Sequence, residues 1–341
     1  MYTSISELDA VGKYGNYLPL TNYPRVDYRS LLSSTTIFDP PFYTLKFENV
    51  YVRGGDFLIF CPEKREVFYK GIVFNDIEAR LDSSGFSLED AELHGVYKHG
   101  SAFLLGDNSN YYHWLINYAA RLMIYSADFN DKPLVMSPIR PRFIDEFLGR
   151  ALGREPSILG VKNGEFAFFE ELIVPNFFQN PIHSPTAVSY IRKVFESMPT
   201  RLDRRSGRCY VTRNEPGNSR RRVVNETNLI EMLRSKGFDI ISLAGKSLDL
   251  QSKLFAELGV LVSPHGAALA NLAFASPGLE VIELQSKDCF TRVYWELGKL
   301  VQTKRYDVLP CDPLEQVERH KNHRDLIVDI DLLESKIDAL S

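Results

Sequence analysis

Apolar positions change their period along this chain, and the changes mark out its elements. From Leu45 to Phe74 short alternating runs are broken by Gly54-Gly55 and by Pro62-Glu63-Lys64-Arg65, which predicts β-hairpins. Between Tyr111 and Tyr125, Leu115, Tyr118, Leu122 and Tyr125 follow a helical repeat, so one face is expected to be buried. Pro133–Met136 reads as a strand, Phe143–Leu152 as a helix, Leu172–Val174 as a strand and Pro185–Met198 as a helix. Beyond Gly207 the alternation becomes regular. Cys209–Thr212 is a predicted strand, and Glu226–Lys236 a helix with Leu229, Met232 and Leu233 on one side, Asn225 as its N-cap and Gly237 at its end. Ile240-Ile241 is a strand, and Ser247 caps a helix on which Leu250, Leu254 and Leu258 align. Val260–Val262 is a strand, and a helix is expected to open on His265-Gly266-Ala267-Ala268. The strand Leu279–Leu284 and a helix near Tyr294–Leu300 complete the series. Strands and helices alternating at this spacing imply parallel sheet covered on both faces. The charged tail from Pro313 holds an amphipathic helix through Leu332, Leu333 and Ile337.

A polar, basic stretch from Pro199 to Gly207 interrupts the pattern and suggests two domains, 1–200 and 201–341, with residues 1–45 wrapping over the first. Composition is that of an ordinary globular protein, with 44% hydrophobic and 25% charged residues. A net charge of -4 gives no overall attraction to nucleic acid or anionic lipid. The span Arg192–Arg222 nevertheless holds ten Lys/Arg and three acids, which suits either an anionic ligand or a solvated face. Cys61, Cys209, Cys289 and Cys311 are far apart, with no C-x-x-C pair to signal a zinc or redox site. The first residues lack a basic segment followed by an apolar run, and no stretch approaches 18 apolar residues. A cytoplasmic protein with at most peripheral membrane contact is expected.

Val260–Val262 followed by Ser263-Pro264-His265-Gly266-Ala267-Ala268 is the stretch richest in chemistry. A helix opening there would offer unpaired N–H groups to an anion, with only Gly and Ala in the first turn to obstruct it. A small-residue helix packed on a sheet, with His265 as its cap, fits the same fragment. Several familiar motifs are absent. Gly245-Lys246-Ser247 resembles the end of a P-loop, but Ile240 stands where the first glycine is required. Neither G-x-G-x-x-G nor G-x-S-x-G occurs. Asp329-Ile330-Asp331 resembles a metal-binding D-x-D, but it sits on the tail, where Asp331 is expected to cap a helix.

Read in order, the pieces are more specific than any one of them. Asn110-Tyr111-Tyr112-His113-Trp114-Leu115 is followed by Arg121-Leu122, then Tyr210-Val211-Thr212-Arg213, then Arg221-Arg222-Val223-Val224-Asn225-Glu226. Ser247–Gln251 and Phe255 precede Pro264-His265-Gly266-Ala267, Asn271 and Val281-Ile282-Glu283-Leu284. The series, over roughly residues 105–285, resembles glycosyltransferase family 61, whose bacterial members are often described as capsular polysaccharide biosynthesis proteins. The resemblance implies a GT-B-like α/β fold: two Rossmann-like domains facing across a cleft, here with extra β-hairpin structure near the N-terminus. It also implies an inverting transfer from a nucleotide-sugar, UDP-linked by family habit, without a metal or other cofactor. The family usually has an acid and a Leu-Pro after its His-Trp, where this chain has Asn117 and Ala119-Ala120. Leu250, Ala268 and Ala270 also depart from its pattern.

An inverting displacement needs a base for the acceptor hydroxyl and positive charge for the departing diphosphate. Arg213, just past a strand end, is expected to pair with the diphosphate, and one of Arg221 and Arg222 to assist. His265, with Gly266, Ala267 and Asn271, is placed at the donor, and Glu283 at its ribose hydroxyls. Asn225 and Glu226 read as a helix cap and a first-turn acid. For the base, His113 is a candidate, though it equally suits a helix cap beside Trp114, and Asp107 stands in reserve. The expected partners are the nucleotide-sugar and a glycan or lipid-linked glycan acceptor of surface polysaccharide assembly, with no nucleic acid. The alternative is a non-catalytic nucleotide-sugar-binding module of an assembly complex.

Overall fold

The computed structural model describes residue 42 and residues 44–61, 66–68, 96–175, 183–196, 207–215, 217–218, 220–315 and 323–340. The wrapping expected of residues 1–41, the break at 62–65 and residues 199–206 of the expected boundary lie outside them. Two compact α/β units are present, the first reaching Val194 and the second running from Phe195. Among the described residues no helix is long and apolar enough to cross a membrane.

The first unit is built on a seven-stranded mixed sheet, ordered β3-β2-β1-β7-β4-β5-β6. Its strands are β1 (Thr44–Arg53), β2 (Ile59–Cys61), β3 (Glu66–Phe68), β4 (Tyr97–Leu104), β5 (Leu134–Met136), β6 (Ile158–Gly160) and β7 (Phe166–Pro175). The expected hairpins are the antiparallel β1–β2–β3 meander, turned at Gly54-Gly55, with Gly55 at φ +93°. β1 pairs antiparallel with the whole of β7, from Thr44 opposite Pro175 to Arg53 opposite Phe166. β4 runs parallel between β7 and β5. After β4 the chain enters a helical turn, α1 (Tyr111–His113), capped by the Asn110 side chain accepting from the Tyr112 N–H at 3.0 Å. It continues as a π-helical segment, Trp114–Tyr118, and then as α2 (Arg121–Asp128). The wide turn shows in the Ala119 N–H donating to the Trp114 carbonyl at 2.9 Å. One continuous helical repeat was expected here; the extra residue per turn buries Leu115, Ile116, Asn117 and Tyr118 together. α3 (Arg142–Leu152) and α4 (Pro185–Phe195) follow the sequence pattern closely.

The second unit has a six-stranded sheet: β8 (Gly207–Val211), β9 (Asp239–Ile241), β10 (Leu258–Pro264), β11 (Glu280–Ser286), β12 (Arg305–Pro313) and β13 (Leu326–Ile327). Its spatial order is β9-β8-β10-β11-β12-β13, parallel except for the edge strand β13. The helices are α5 (Glu226–Ser235), α6 (Leu248–Glu257), α7 (Val293–Leu300) and α8 (Ile330–Asp338). From β8 the chain crosses to β9 on one side; from β10 it crosses to β11 on the other. The reversal leaves a crevice beyond the carboxyl ends of β8 and β10, which is where open α/β sheets hold ligands. Leu229, Leu233, Val262, Ile282, Leu333 and Ile337 share the core that fixes this frame.

Four local expectations are corrected. The segment after Gly266 is a 3₁₀ helix, Ala267–Phe274, rather than an α-helix. Its sequence is small and apolar all round, so its period carried little information. On α6 the Leu250 stripe does not face the core: Leu250 is 49% exposed, Leu248, Gln251, Ser252 and Phe255 are buried, and Leu258 already belongs to β10. Ser247 does cap that helix, accepting from the Leu250 N–H at 3.3 Å. Asp329, not Asp331, caps α8 by accepting from the Leu332 N–H at 3.0 Å. Asn225 makes no cap bond; its amide donates to the Val328 carbonyl at 2.8 Å and accepts from the Val328 N–H at 3.0 Å. It thereby ties the start of α5 to the C-terminal segment. Asn225→Ala orphans both groups of the buried Val328 and should lower the unfolding free energy by about 1–3 kcal/mol in urea titration.

Candidate functional site

The second unit brings Arg213, Arg221, His265, Gly266 and Glu283 to the crevice end of its sheet. Arg213 follows β8, whose end is anchored by buried Glu226. That carboxylate accepts from Tyr210 Oη at 2.8 Å and Thr212 Oγ1 at 2.6 Å. Glu226, read from sequence as a first-turn acid, is thus a pin for the strand that presents Arg213. Across the switch point, Arg213 Nη1 donates to the His265 carbonyl at 3.2 Å. The guanidinium lies where a side chain on residue 266 would be, since a Cβ on Gly266 would overlap Nη1. Glycine at 266 is therefore needed for space beside Arg213, its φ being extended.

Arg221 reaches the same place by a different device. Asn214 donates to the Val223 carbonyl at 2.7 Å and accepts from the Val223 N–H at 2.9 Å, closing the loop between them. Within that loop Arg221 adopts φ +55°, a left-handed conformation that costs an ordinary residue about 1–2 kcal/mol. The adjacent Arg222 goes elsewhere. Its backbone N–H donates to Asp325 Oδ1 at 2.9 Å and its Nη2 pairs with Oδ2 at 3.2 Å. Of the two arginines left open by the sequence, Arg222 is tied to the C-terminal segment and Arg221 stands near Arg213.

Arg213 and Arg221 are close enough to repel. Burial, then the neighbouring Arg221, pulls the Arg213 guanidinium down to about 10, and burial likewise lowers Arg221. Neither forms an ion pair among the described residues, and the Nε of each is buried without a hydrogen-bond partner. Two cations desolvated side by side without a carboxylate partner are costly, and are what an anion would complete.

His265 sits beside them. Its Nδ1 lies 2.5 Å from Glu283 Oε1, and Tyr306 Oη donates to Glu283 Oε2 at 2.7 Å. Its ring rests against Tyr294, with centroids 5.0 Å apart. Burial, then the charge of Glu283, pushes the Tyr294 hydroxyl well up, so it stays protonated. Glu283, expected at the ribose, lies in mid-strand at 0% exposure with both oxygens engaged; in this structure its carboxylate holds His265. Asn271 is also fully buried, donating to Gln251 Oε1 and to the Ala268 carbonyl, both at 3.0 Å. It fastens the 3₁₀ segment to α6, while Ala267 stays half-exposed where that segment begins. Tyr294, Tyr306 and Asn214 were not singled out from the sequence. Asn214 was the most legible of them, as the first residue of an Asn-Glu-Pro-Gly turn after a strand.

His113 and Asp107 belong to the first unit, just beyond the carboxyl end of β4. His113 Nδ1 lies 3.1 Å from Asn117 Oδ1, one turn on. Burial lowers its titration below the ordinary histidine value, with Asn117 opposing. Asp107 accepts from the Ser137 N–H at 2.6 Å and from Ser137 Oγ at 3.0 Å, and burial raises its carboxyl. Arg121 Nη1 donates to the Leu105 carbonyl at 2.8 Å and steadies the loop that leads to Asp107. Among the described residues, no group of three or more His, Cys, Asp and Glu could hold a metal ion.

The two neighbouring arginines should separate in unfolding experiments. Arg221→Gly removes a left-handed arginine and an uncompensated charge, so the unfolding free energy should hold or rise by up to about 1 kcal/mol. Arg222→Ala strips Asp325 of its guanidinium and should lower it. A large loss for Arg221→Gly would make that side chain part of the scaffold.

The family model of Glycosyltransferase 61 matches residues 111–282, just over half of the 341-residue chain. That span carries His113, Arg213, Arg221 and His265 and stops one residue short of Glu283. No curated protein matches the chain. With the resemblance of the ordered motifs and the match of the family model in agreement, the chain belongs to glycosyltransferase family 61.

Proposed function

We propose that the protein is an inverting, metal-independent glycosyltransferase that binds the diphosphate of a nucleotide-sugar at Arg213 and Arg221. Family membership points to glycosyl transfer. The observation that carries the finer reading is the pair of partly buried guanidiniums, neither in an ion pair among the described residues, at the switch point of a parallel sheet. Their fixed charge takes up the negative charge that develops on the departing diphosphate, the part a metal ion plays elsewhere. The second unit then serves the donor, taken as UDP-linked. The first serves a glycan or lipid-linked glycan acceptor of surface polysaccharide assembly, in the GT-B manner, at the cytoplasmic face of the membrane.

In the transfer, an acceptor hydroxyl oxygen bonds to the anomeric carbon as that carbon's bond to the phosphate oxygen breaks. The hydroxyl proton passes to His113. Asn117 Oδ1 holds the ring at Nδ1 and orients it for that role. A second reading, a binding module without turnover, is favoured by one feature. Asn117 orients His113 as a carboxylate would, but brings no charge to stabilise the imidazolium. Release of nucleoside diphosphate from UDP-sugars by purified protein supports the transferase; tight binding without release, even with acceptor extracts, supports the module.

In a thermal-shift screen a cognate nucleotide-sugar should raise the melting temperature, because it binds only the native state. Arg213→Ala should weaken that binding by about 1.5–3 kcal/mol, the worth of a charged hydrogen bond; unchanged affinity would remove Arg213 from the site. Turnover should be full at neutral pH and fall only as acid protonates His113 below its ordinary value near 6.5. His113→Ala should abolish most turnover while leaving donor affinity unchanged. If turnover survives, Asp107 is the next residue to replace.

A further inference from the structure

We propose that diphosphate binding in the second unit is coupled to the uptake of one proton by His265, with Glu283 and Tyr306 as positioning residues. The inference rests on the donor reading above and adds a protonation step to it. Glu283 is fully buried, and one of its oxygens already accepts from Tyr306 at 2.7 Å. The other lies 2.5 Å from His265 Nδ1. A carboxylate accepts and does not donate, so Nδ1 carries a proton; in the neutral ring the second nitrogen, Nε2, then carries the lone pair.

Nε2 makes no hydrogen bond among the described residues, and the side chain keeps 18% exposure. Arg213 is held on the same residue's carbonyl, so an anion at the arginines arrives beside this ring. Phosphate oxygens that have lost their protons also only accept. A lone pair on Nε2 would repel them, and a hydrogen bond requires a proton there. With Nδ1–H still held by Glu283, the ring then bears two protons and a positive charge. One proton moves from solvent to Nε2, and no other bond changes.

The surroundings make this conditional on the ligand. Among the described residues, the groups facing the ring or its immediate neighbours include Glu283 from β11, Tyr306 from β12, Tyr294 from α7, Arg213 and Glu215 after β8, Arg220 and Arg221 from the 214–223 loop, and Cys289 after β11. Both tyrosines stay neutral, since burial and Glu283 push their hydroxyls up. The two arginines oppose a third positive charge while the site is empty. A diphosphate offsets them, and the Glu283 anion then serves as counter-ion to the imidazolium. Sequence supports the same design: Gly266 leaves room for Arg213, and neither Pro264 nor Gly266, which flank the histidine, brings a titratable group.

The test is calorimetric titration of the full chain with UDP, and in parallel with pyrophosphate, at about pH 8 in buffers of different ionisation enthalpy. There the phosphate groups of UDP are already ionised, and an ordinary histidine is mostly neutral. The slope of binding enthalpy against buffer ionisation enthalpy counts protons. Close to one proton taken up per UDP is expected, with affinity falling as much as about tenfold per pH unit in the alkaline direction. His265→Gln should bind with uptake near zero. Glu283→Gln keeps the acceptor, loses the charge and should cut the uptake. Wild-type binding without proton exchange, or unchanged uptake in His265→Gln, overturns the proposal and leaves the donor reading standing. Failure of the wild-type protein to bind either compound overturns both.

Discussion

Two partly buried guanidiniums close enough to repel, neither in an ion pair among the described residues, are the constraint on which the second unit turns. Removing a charge from water costs several kcal/mol, and a like charge nearby adds to the cost. A fold keeps such a pair only if the rest of the structure holds it in place. Here three devices do so. Glu226 grips the end of β8 through two hydroxyls. The Asn214 side chain closes the loop that forces Arg221 into a left-handed backbone. The missing side chain at Gly266 opens the seat that Arg213 occupies. Each residue is ordinary by itself; together they concentrate positive charge at the one point where the sheet topology leaves a crevice.

The same logic explains what sequence could and could not reveal. Arg213 and His265 were legible because each follows a short apolar run, and strand ends in a parallel sheet are where ligands sit. Which of Arg221 and Arg222 joins them was not legible. The choice is made by Asp325, a hundred residues away, which takes Arg222. The role of Glu283 was not legible for a related reason. As an acid near a strand end it resembled a ribose ligand, but its partner Tyr306 lies on β12, a strand the apolar pattern did not show. In that strand Val308 and Leu309 are buried in succession, which breaks the alternation.

Polar residues inside the core caused the other differences. On α6 the buried face includes Gln251 and Ser252, because Gln251 bonds Asn271 on the 3₁₀ segment. Counting leucines therefore turned the helix the wrong way. In the first unit, β4 was missed although it runs between two neighbouring strands, because its first half is exposed and Tyr97 stands 78% open. The π-helical widening from Trp114 to Tyr118 also leaves no mark in a helical repeat, yet it begins directly after His113 and contains Asn117. Local periodicity recovered the order of elements in the second unit as far as α7, and α8 after it, but missed β12 and β13. It could not report side-chain bonds between elements, and the candidate site is made of such bonds.

The proposed donor site requires a diphosphate to join Arg213 and Arg221, which form no ion pair among the described residues. The most direct measurement is a crystal structure of the full chain with a nucleoside diphosphate bound. The account requires phosphate oxygens within hydrogen-bond reach of both guanidiniums, between the carboxyl ends of β8 and β10. A nucleotide bound elsewhere, with the two arginines still unaccompanied, would contradict it.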